Sequence, residues 1–147
     1  MLYYYTVAYN AIFTIDNSCL IGVEIYHMNK ILFCSYHCLP TRDMLVRRLK
    51  RKGFDADGVY DIEKYIGITN SKKPNLILID TFDCGGNEEI AIIQKFKALK
   101  STKNIPIITL VRNMIDDEQK MLKAGSDDVD INPVKLSRLL DKINQLL

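Results

Sequence analysis

Two runs of large aliphatic residues constrain this chain more than anything else in it. Leu76-Ile77-Leu78-Ile79 closes on Asp80, and residues 105–111 read Ile-Pro-Ile-Ile-Thr-Leu-Val. A strand with one wet face alternates apolar and polar side chains, so a run that is apolar at nearly every position needs cover on both faces. Strands of that kind belong to parallel sheets, where crossover helices supply the cover. The rest of the chain must then provide helices between strands.

After Met28 it does. Residues 30–34 form a short apolar strand, and Pro40 suits the first turn of a helix, where its missing N–H is no loss. Residues 41–52 carry Met44, Leu45 and Leu49 on one face before Gly53 stops the helix. Residues 55–60 read as a weaker strand, interrupted by Gly58, and Asp61 caps a short helix with Ile62, Tyr65 and Ile66. Pro74 introduces the strand that ends at Asp80, and the Cys84-Gly85-Gly86 loop leads to a helix with Ile90, Ile92, Ile93, Phe96 and Leu99. The strand over 105–111 is followed by a helix over 115–124, closed by Gly125. Residues 126–131 form the last strand, Pro133 ends it, and Leu136, Leu139, Leu140, Ile143 and Leu147 stripe the final helix. Five strand–helix units predict an α/β fold: a doubly wound five-stranded parallel sheet with helices on both faces. Such sheets bind ligands at the C-terminal ends of their strands, which here precede Ser35-Tyr36, follow Leu76–Ile79 at Asp80, and precede Arg112 and Asn132-Pro133.

Composition narrows the function. A chain of 147 residues, 48% hydrophobic and 26% charged, is one soluble domain able to bury a core. With 7 Gly and 4 Pro it is neither collagen-like nor disordered. No apolar run reaches the roughly 18 residues of a membrane span. Twenty basic against eighteen acidic residues leave +2, no global signal for a polyanion. Cys19, Cys34, Cys38 and Cys84 lack C-x-x-C spacing and read as reduced thiols of a cytoplasmic protein.

Residues 1–28 differ from the rest: no Lys or Arg, two acids (Asp16 and Glu24), and five of the eight tyrosines. They form an N-terminal extension with two readings. Apolar runs at 11–15 and 19–25 around Asp16-Asn17-Ser18 fit a hairpin; alternatively Met28 is the true start of a domain over 29–147. Tyr3-Tyr4-Tyr5 and Tyr9 would cover an apolar patch or a partner strand in the first case and be upstream sequence in the second.

Three stretches carry a family resemblance: Pro74-Asn-Leu-Ile-Leu-Ile-Asp80, Ile105-Pro-Ile-Ile-Thr-Leu110, and Ala124-Gly-Ser-Asp-Asp128 leading to Asn132-Pro133. In order and spacing, residues 29–147 resemble the receiver domain of two-component response regulators, the chemotaxis-protein type of flavodoxin-like fold. The resemblance implies phosphorelay signalling, with Asp80 as the phosphoacceptor candidate. It also implies Mg²⁺ held by that Asp, an acidic pair after the first strand and a carbonyl past the acceptor. This chain departs from that pattern. The acidic pair falls on Ser35 and Tyr36, the switch hydroxyl on Val111, the aromatic switch on Val129, the phosphate-neutralising Lys on Asn132, and a loop Pro on Cys84. Only Asp80 and Pro133 are kept.

Losing those groups has a physical cost. A unit-charge contact at ~4 Å and an effective dielectric near 20 amounts to roughly 4 kcal/mol before desolvation. Reducing the carboxylates from three to one should leave Mg²⁺ binding weak or absent. Phosphoryl transfer works by positioning and charge neutralisation, and this pocket has little of either. The expectation is a pseudo-receiver acting by protein–protein contact and not an enzyme, with a receiver phosphorylated on Asp80 by an altered route as the alternative.

Other residues have competing readings. Asp80 is an acceptor or merely a polar strand end, and Asp83 a substitute carboxylate or a solvated loop residue. His37, Cys38 and Cys84 form a soft-ligand metal or redox group or are plain small side chains. Arg42, Arg47, Arg48, Lys50, Arg51 and Lys52 make a basic first helix. It is either a solvated face or, as receivers suggest, a dock for a histidine kinase or phosphotransfer protein through Arg47, Arg48 and Arg51. Nucleic acid is disfavoured, since no aromatics interleave the basic run, and no membrane partner is expected. The last helix, with Lys135, Arg138, Asp141 and Lys142, is the expected face for a homodimer or output contact.

Overall fold

The computed structural model describes residues 5–7, 11–13, 28–35, 39–60, 73–81 and 87–147. Its elements are β1 (Tyr5–Val7), β2 (Ala11–Phe13), β3 (Lys30–Cys34), α1 (Leu39–Arg51), β4 (Asp55–Val59) and β5 (Leu76–Asp80). These are followed by α2 (Asn87–Ala98), β6 (Ile107–Val111), α3 (Met114–Ala124), β7 (Asp128–Ile131) and α4 (Leu136–Leu146). Strands β3 to β7 form one sheet in the order β4-β3-β5-β6-β7. Every pairing in it is parallel, with Cys34 beside Ile79, Asp80 beside Leu110, and Val111 beside Ile131.

All five residues of β5 and of β6 are buried, as an apolar run without alternation requires. Successive side chains go to opposite layers. Leu32, Cys34, Ile77, Ile79, Ile107, Val111 and Val129 pack with Ile93 and Phe96 of α2 and Met121 and Ala124 of α3. Ile31, Phe33, Leu76, Leu78, Ile108 and Leu110 pack with Leu45 and Leu49 of α1 and Leu139 and Ile143 of α4. Each fully buried side chain of this size stabilises the fold by about 1.5–3 kcal/mol relative to exposure. The expected doubly wound sheet with helices on both faces is therefore what the chain forms.

Several boundaries differ from expectation. β6 starts at Ile107, because Ile105 belongs to the turn after α2, where its N–H donates to Thr102 O. β7 starts at Asp128, because the Ser126 hydroxyl is spent on the turn, bonding Ile107 O and Asp128 O. Met44 is 41% exposed and not core, and Leu146 packs inward where Leu147 was expected. Gly125 ends α3 as predicted, at φ 116°, its N–H bonded to Leu122 O. Gly58, read as a weakness, fits a close approach: a Cβ there would lie 2.8 Å from Cδ of Arg42. Arg42 thus lies across β4 with its side chain 13% exposed, bonded to Asp43, and is not part of the basic surface.

In the N-terminal extension β2 falls within the expected 11–15 run. It pairs antiparallel with β1, Tyr5 facing Phe13. The second half of the expected hairpin, 19–25, lies outside the described residues, as does the helix expected after Asp61.

Candidate functional site

The C-terminal ends of β3, β5, β6 and β7 bring Ser35, Asp80, Val111 and Asn132 to one edge of the sheet. Asp80 is the last residue of β5 and only 4% exposed. Its place is set by backbone on both sides: Ser35 N–H donates to Val59 O, Thr81 N–H to Leu110 O at 3.0 Å, and Asn132 N–H to Val111 O at 2.7 Å. Those bonds extend the ladder one residue past each strand and hold the side chains that converge on Asp80.

Two neutral donors meet the carboxylate. Asn132 Nδ2 donates to Asp80 Oδ1 at 3.1 Å, and Ser35 Oγ lies 3.5 Å from Oδ2, a long contact by hydrogen-bond standards. Ser35 is itself buried. Val111 and Val129 are buried in the α2–α3 layer and offer only methyl groups. Of the positions predicted from sequence, Ser35, Asp80 and Asn132 are in contact; Val111 and Val129 sit behind them. Tyr36, His37, Cys38, Asp83 and Cys84 lie outside the described residues.

The strand order β4-β3-β5-β6-β7 has known counterparts. The fold is that of a response-regulator receiver domain. A signal receiver domain of a signal transduction histidine kinase from Syntrophus aciditrophicus superposes with a TM-score of 0.67 at 21% identity, over 81% of this chain and 89% of that one. A response regulator receiver domain, described as CheY-like, from Methylobacillus flagellatus gives 0.68 at 15% identity, over 82% of this chain and all (100%) of that one. A two-component response regulator from Clostridium difficile gives 0.66 at 23% identity, over 81% and 95%. No protein-family model and no curated protein matches the chain. At these identities the likeness carries the receiver fold, and the chemistry must be argued from the residues.

Receivers of the usual pattern hold Mg²⁺, and the described donors here do not fit it. Mg²⁺ wants carboxylate and water oxygens in a near-octahedral shell. Asp80 instead has an amide N–H aimed at one oxygen and a hydroxyl beside the other. Among the described residues no three His, Cys, Asp or Glu side chains are grouped to hold a metal. No helix among them is long and apolar enough to cross a membrane.

Cys34 ends β3 one residue before Ser35, on the opposite layer, and is a buried free thiol as expected; burial pushes its pKa up to about 12. On α1, Arg47, Arg48, Lys50 and Arg51 are exposed, as is Lys52 just after it, while Asp43 supplies a carbonyl to Arg47 Nε at 3.2 Å. On α4, Arg138 and Lys142 turn towards β7: Arg138 Nε pairs with Asp130 at 2.5 Å and Lys142 Nζ with Asp128 at 2.7 Å. Of that expected contact set, Lys135 and Asp141 are exposed and Arg138 and Lys142 half-buried.

Two features escaped the sequence reading. Asp130 is 2% exposed, a charge hidden in a strand whose Asp-Val-Asp-Ile alternation should have signalled one polar face. The other is a cavity of about 600 Å³ beside the Asp80 edge, walled by α1 and the segments that follow β6 and β7. No one-dimensional pattern announces a space between three separate segments.

Proposed function

We propose that this chain is a pseudo-receiver of two-component signalling: a cytoplasmic binding module over 29–147 that keeps the receiver scaffold and acts through protein contacts without a phosphoryl switch. The observation that carries the reading is the surroundings of Asp80. Asn132 stands where a receiver has its phosphate-neutralising Lys, and its amide is already bonded to the carboxylate. Ser35 stands where an acid would help hold Mg²⁺. A phosphoryl group on Asp80 would replace the carboxylate's −1 with a charge of about −2 at a buried position, with no cation from either residue. Val111 and Val129 have neither a hydroxyl nor a ring to relay its arrival.

The partner proposed is a histidine kinase or phosphotransfer protein at α1, steered by Arg47, Arg48 and Arg51 towards an acidic face. Homodimerisation through α4 would use Lys135 and Asp141, since Arg138 and Lys142 are engaged with β7. The second reading, phosphorylation of Asp80 by an altered route, draws on that residue's place at the end of the central strand.

Intact-mass measurement after treatment with acetyl phosphate and Mg²⁺ separates the two. The expected result is no adduct on folded wild-type protein. A labile single-phosphoryl adduct, absent from Asp80→Asn, would overturn the pseudo-receiver reading.

A further inference from the structure

Parallel strands all enter the sheet from the end opposite Asp80, and five exposed lysines gather there. Lys52 follows α1 and leads into β4, Lys73 leads into β5, Lys100 and Lys103 lie between α2 and β6, and Lys123 sits in the last turn of α3 before β7. Backbone bonds hold these turns side by side. Asp55 N–H donates to Asn29 O at 3.1 Å, Asn75 N–H to Lys30 O at 2.7 Å, Ile77 N–H to Pro106 O at 2.9 Å and Asp127 N–H to Ile107 O at 2.8 Å. Five strands at about 4.8 Å spacing put roughly 19 Å between the outer two, so the lysines share one face of about that width.

Among the described residues none of the five makes an ion pair or a side-chain hydrogen bond. The same turns hold two acids. Asp55 is half-buried, and Asp127 is already bonded to Lys97 Nζ at 2.7 Å and to the Ile107 N–H at 2.8 Å. The helix dipole accounts for part of this charge, because a cation is favoured in the last turn of a helix. That covers Lys123 and at most Lys52; Lys73, Lys100 and Lys103 lie outside any described helix.

The layout decides the partner. Lys52 belongs to the α1–α4 side of the sheet and Lys100, Lys103 and Lys123 to the α2–α3 side, with Lys73 at the central strand between them. A line of phosphodiesters passes one side at a time, whereas a planar field of anionic headgroups meets all five. Phe54, the aromatic in these turns, is half-buried, so single-stranded nucleic acid finds no ring to stack on. Leu122 and Leu147, 43% and 44% exposed near the ends of α3 and α4, offer aliphatic side chains to an interfacial layer.

We propose that this end of the molecule docks on an anionic membrane surface, its five lysines among the phospholipid headgroups and no helix crossing the bilayer. The expectation of no membrane partner draws on runs along the chain, and a face assembled from four turns leaves no such run. Docked this way, the chain turns the Asp80 edge away from the lipid and keeps it open to partners. The assignment stands on the charge of this face and holds whether or not Asp80 is phosphorylated.

The test is co-sedimentation of the full chain with vesicles of phosphatidylcholine, alone or with about 30% phosphatidylserine, at about 0.1 M salt. The expected result is binding to the anionic vesicles only, lost at about 0.5 M salt. Lys103→Gln should weaken it about fivefold, and Lys73→Gln, Lys103→Gln and Lys123→Gln together about 100-fold. Lys135→Gln removes the same charge at the start of α4, at the other end of the molecule, and should stay within about twofold of wild type. The proposal is overturned if phosphatidylserine adds nothing to binding, if the triple variant binds as wild type does, or if Lys135→Gln costs as much as Lys103→Gln. Displacement from the vesicles by a DNA duplex of about 20 base pairs, at equal phosphate, would overturn it in favour of nucleic acid.

Discussion

Two carboxylates buried in neighbouring parts of one sheet meet different side chains. Asp130 of β7 is 2% exposed and has Arg138 at 2.5 Å. Asp80 of β5 is 4% exposed and has the Asn132 amide and the Ser35 hydroxyl. The contrast extends along the edge of the sheet. Asp128 has Lys142 on both oxygens, and Asp127 has Lys97 at 2.7 Å together with the N–H of Ile107 at 2.8 Å. Three cations, Lys97, Arg138 and Lys142, are committed to the last strand and the turn before it, where they bind helices α2 and α4 to the sheet. At the acid that a receiver would use for chemistry, Asn132 and Ser35 bring an amide and a hydroxyl. Charge pairing along this last strand belongs to architecture.

Cys34 sets a reference for what burial alone does to an acid in this sheet, and it yields the largest expected effect. Its folded pKa, about 12, is above the ordinary thiol value of 9.0 because burial disfavours the thiolate. A raised folded pKa contributes stability that is complete below pH 9 and is lost as pH climbs towards 12. By pH 11 the loss should approach about 3 kcal/mol relative to Cys34→Ala, near 1.4 kcal/mol per pH unit. Parallel denaturant melts of the two proteins across that range measure it; equal slopes would mean the thiol ionises in place.

Next comes the paired acid. Arg138→Ala strands the Asp130 charge inside the sheet and should cost about 2 kcal/mol, less than the 3–5 of a fully buried pair because Arg138 is 41% exposed. Asp130→Asn should cost clearly less, since the freed guanidinium can reach water. Urea midpoints decide the order, and the reverse order would break the comparison.

Ser35→Asp puts a second carboxylate where a hydroxyl now lies 3.5 Å from Asp80. Like-charge repulsion should lower stability by about 1–2 kcal/mol in chelator, and millimolar Mg²⁺ should restore most of it. Wild type should melt alike in both media. The smallest effect is expected from Asp80→Asn: under about 1 kcal/mol in either direction, because an amide oxygen can still accept from Asn132. A large loss in thermal melts would reveal a charge partner for Asp80 and undo the contrast drawn above.

The fold was legible because β5 and β6 leave no alternative: residues apolar at consecutive positions need two covers, and the intervening periodic segments supply them. Gly53 and Gly125 marked helix ends for the same local reason, with φ of 89° and 116°. The site was legible as a set of positions, since Ser35, Asp80 and Asn132 each follow directly from a strand end. What could not be read was which donor faces which oxygen, because that depends on the register of β3, β5 and β7 together. Arg42 looked like one more charge on a basic helix, and only its approach to Gly58 on another element withdrew it from the surface. Asp130 was missed because its partner is eight residues on, across a turn, in a helix chosen by its apolar stripe.

The two-layer alternation of β5 has a consequence for how such a chain can change over time. Leu76 and Leu78 face one layer, Ile77 and Ile79 the other, and Asp80 shares its side with the leucines. Replacing one aliphatic by another disturbs a single contact set. Inserting or deleting one residue exchanges the tenants of both layers at once and turns the terminal acid to the wrong side. In a library of single-codon insertions and substitutions, this strand should accept many of the second kind and almost none of the first. A lineage is therefore free to rewrite its pocket letter by letter, while the reading frame of the strand that presents it stays fixed.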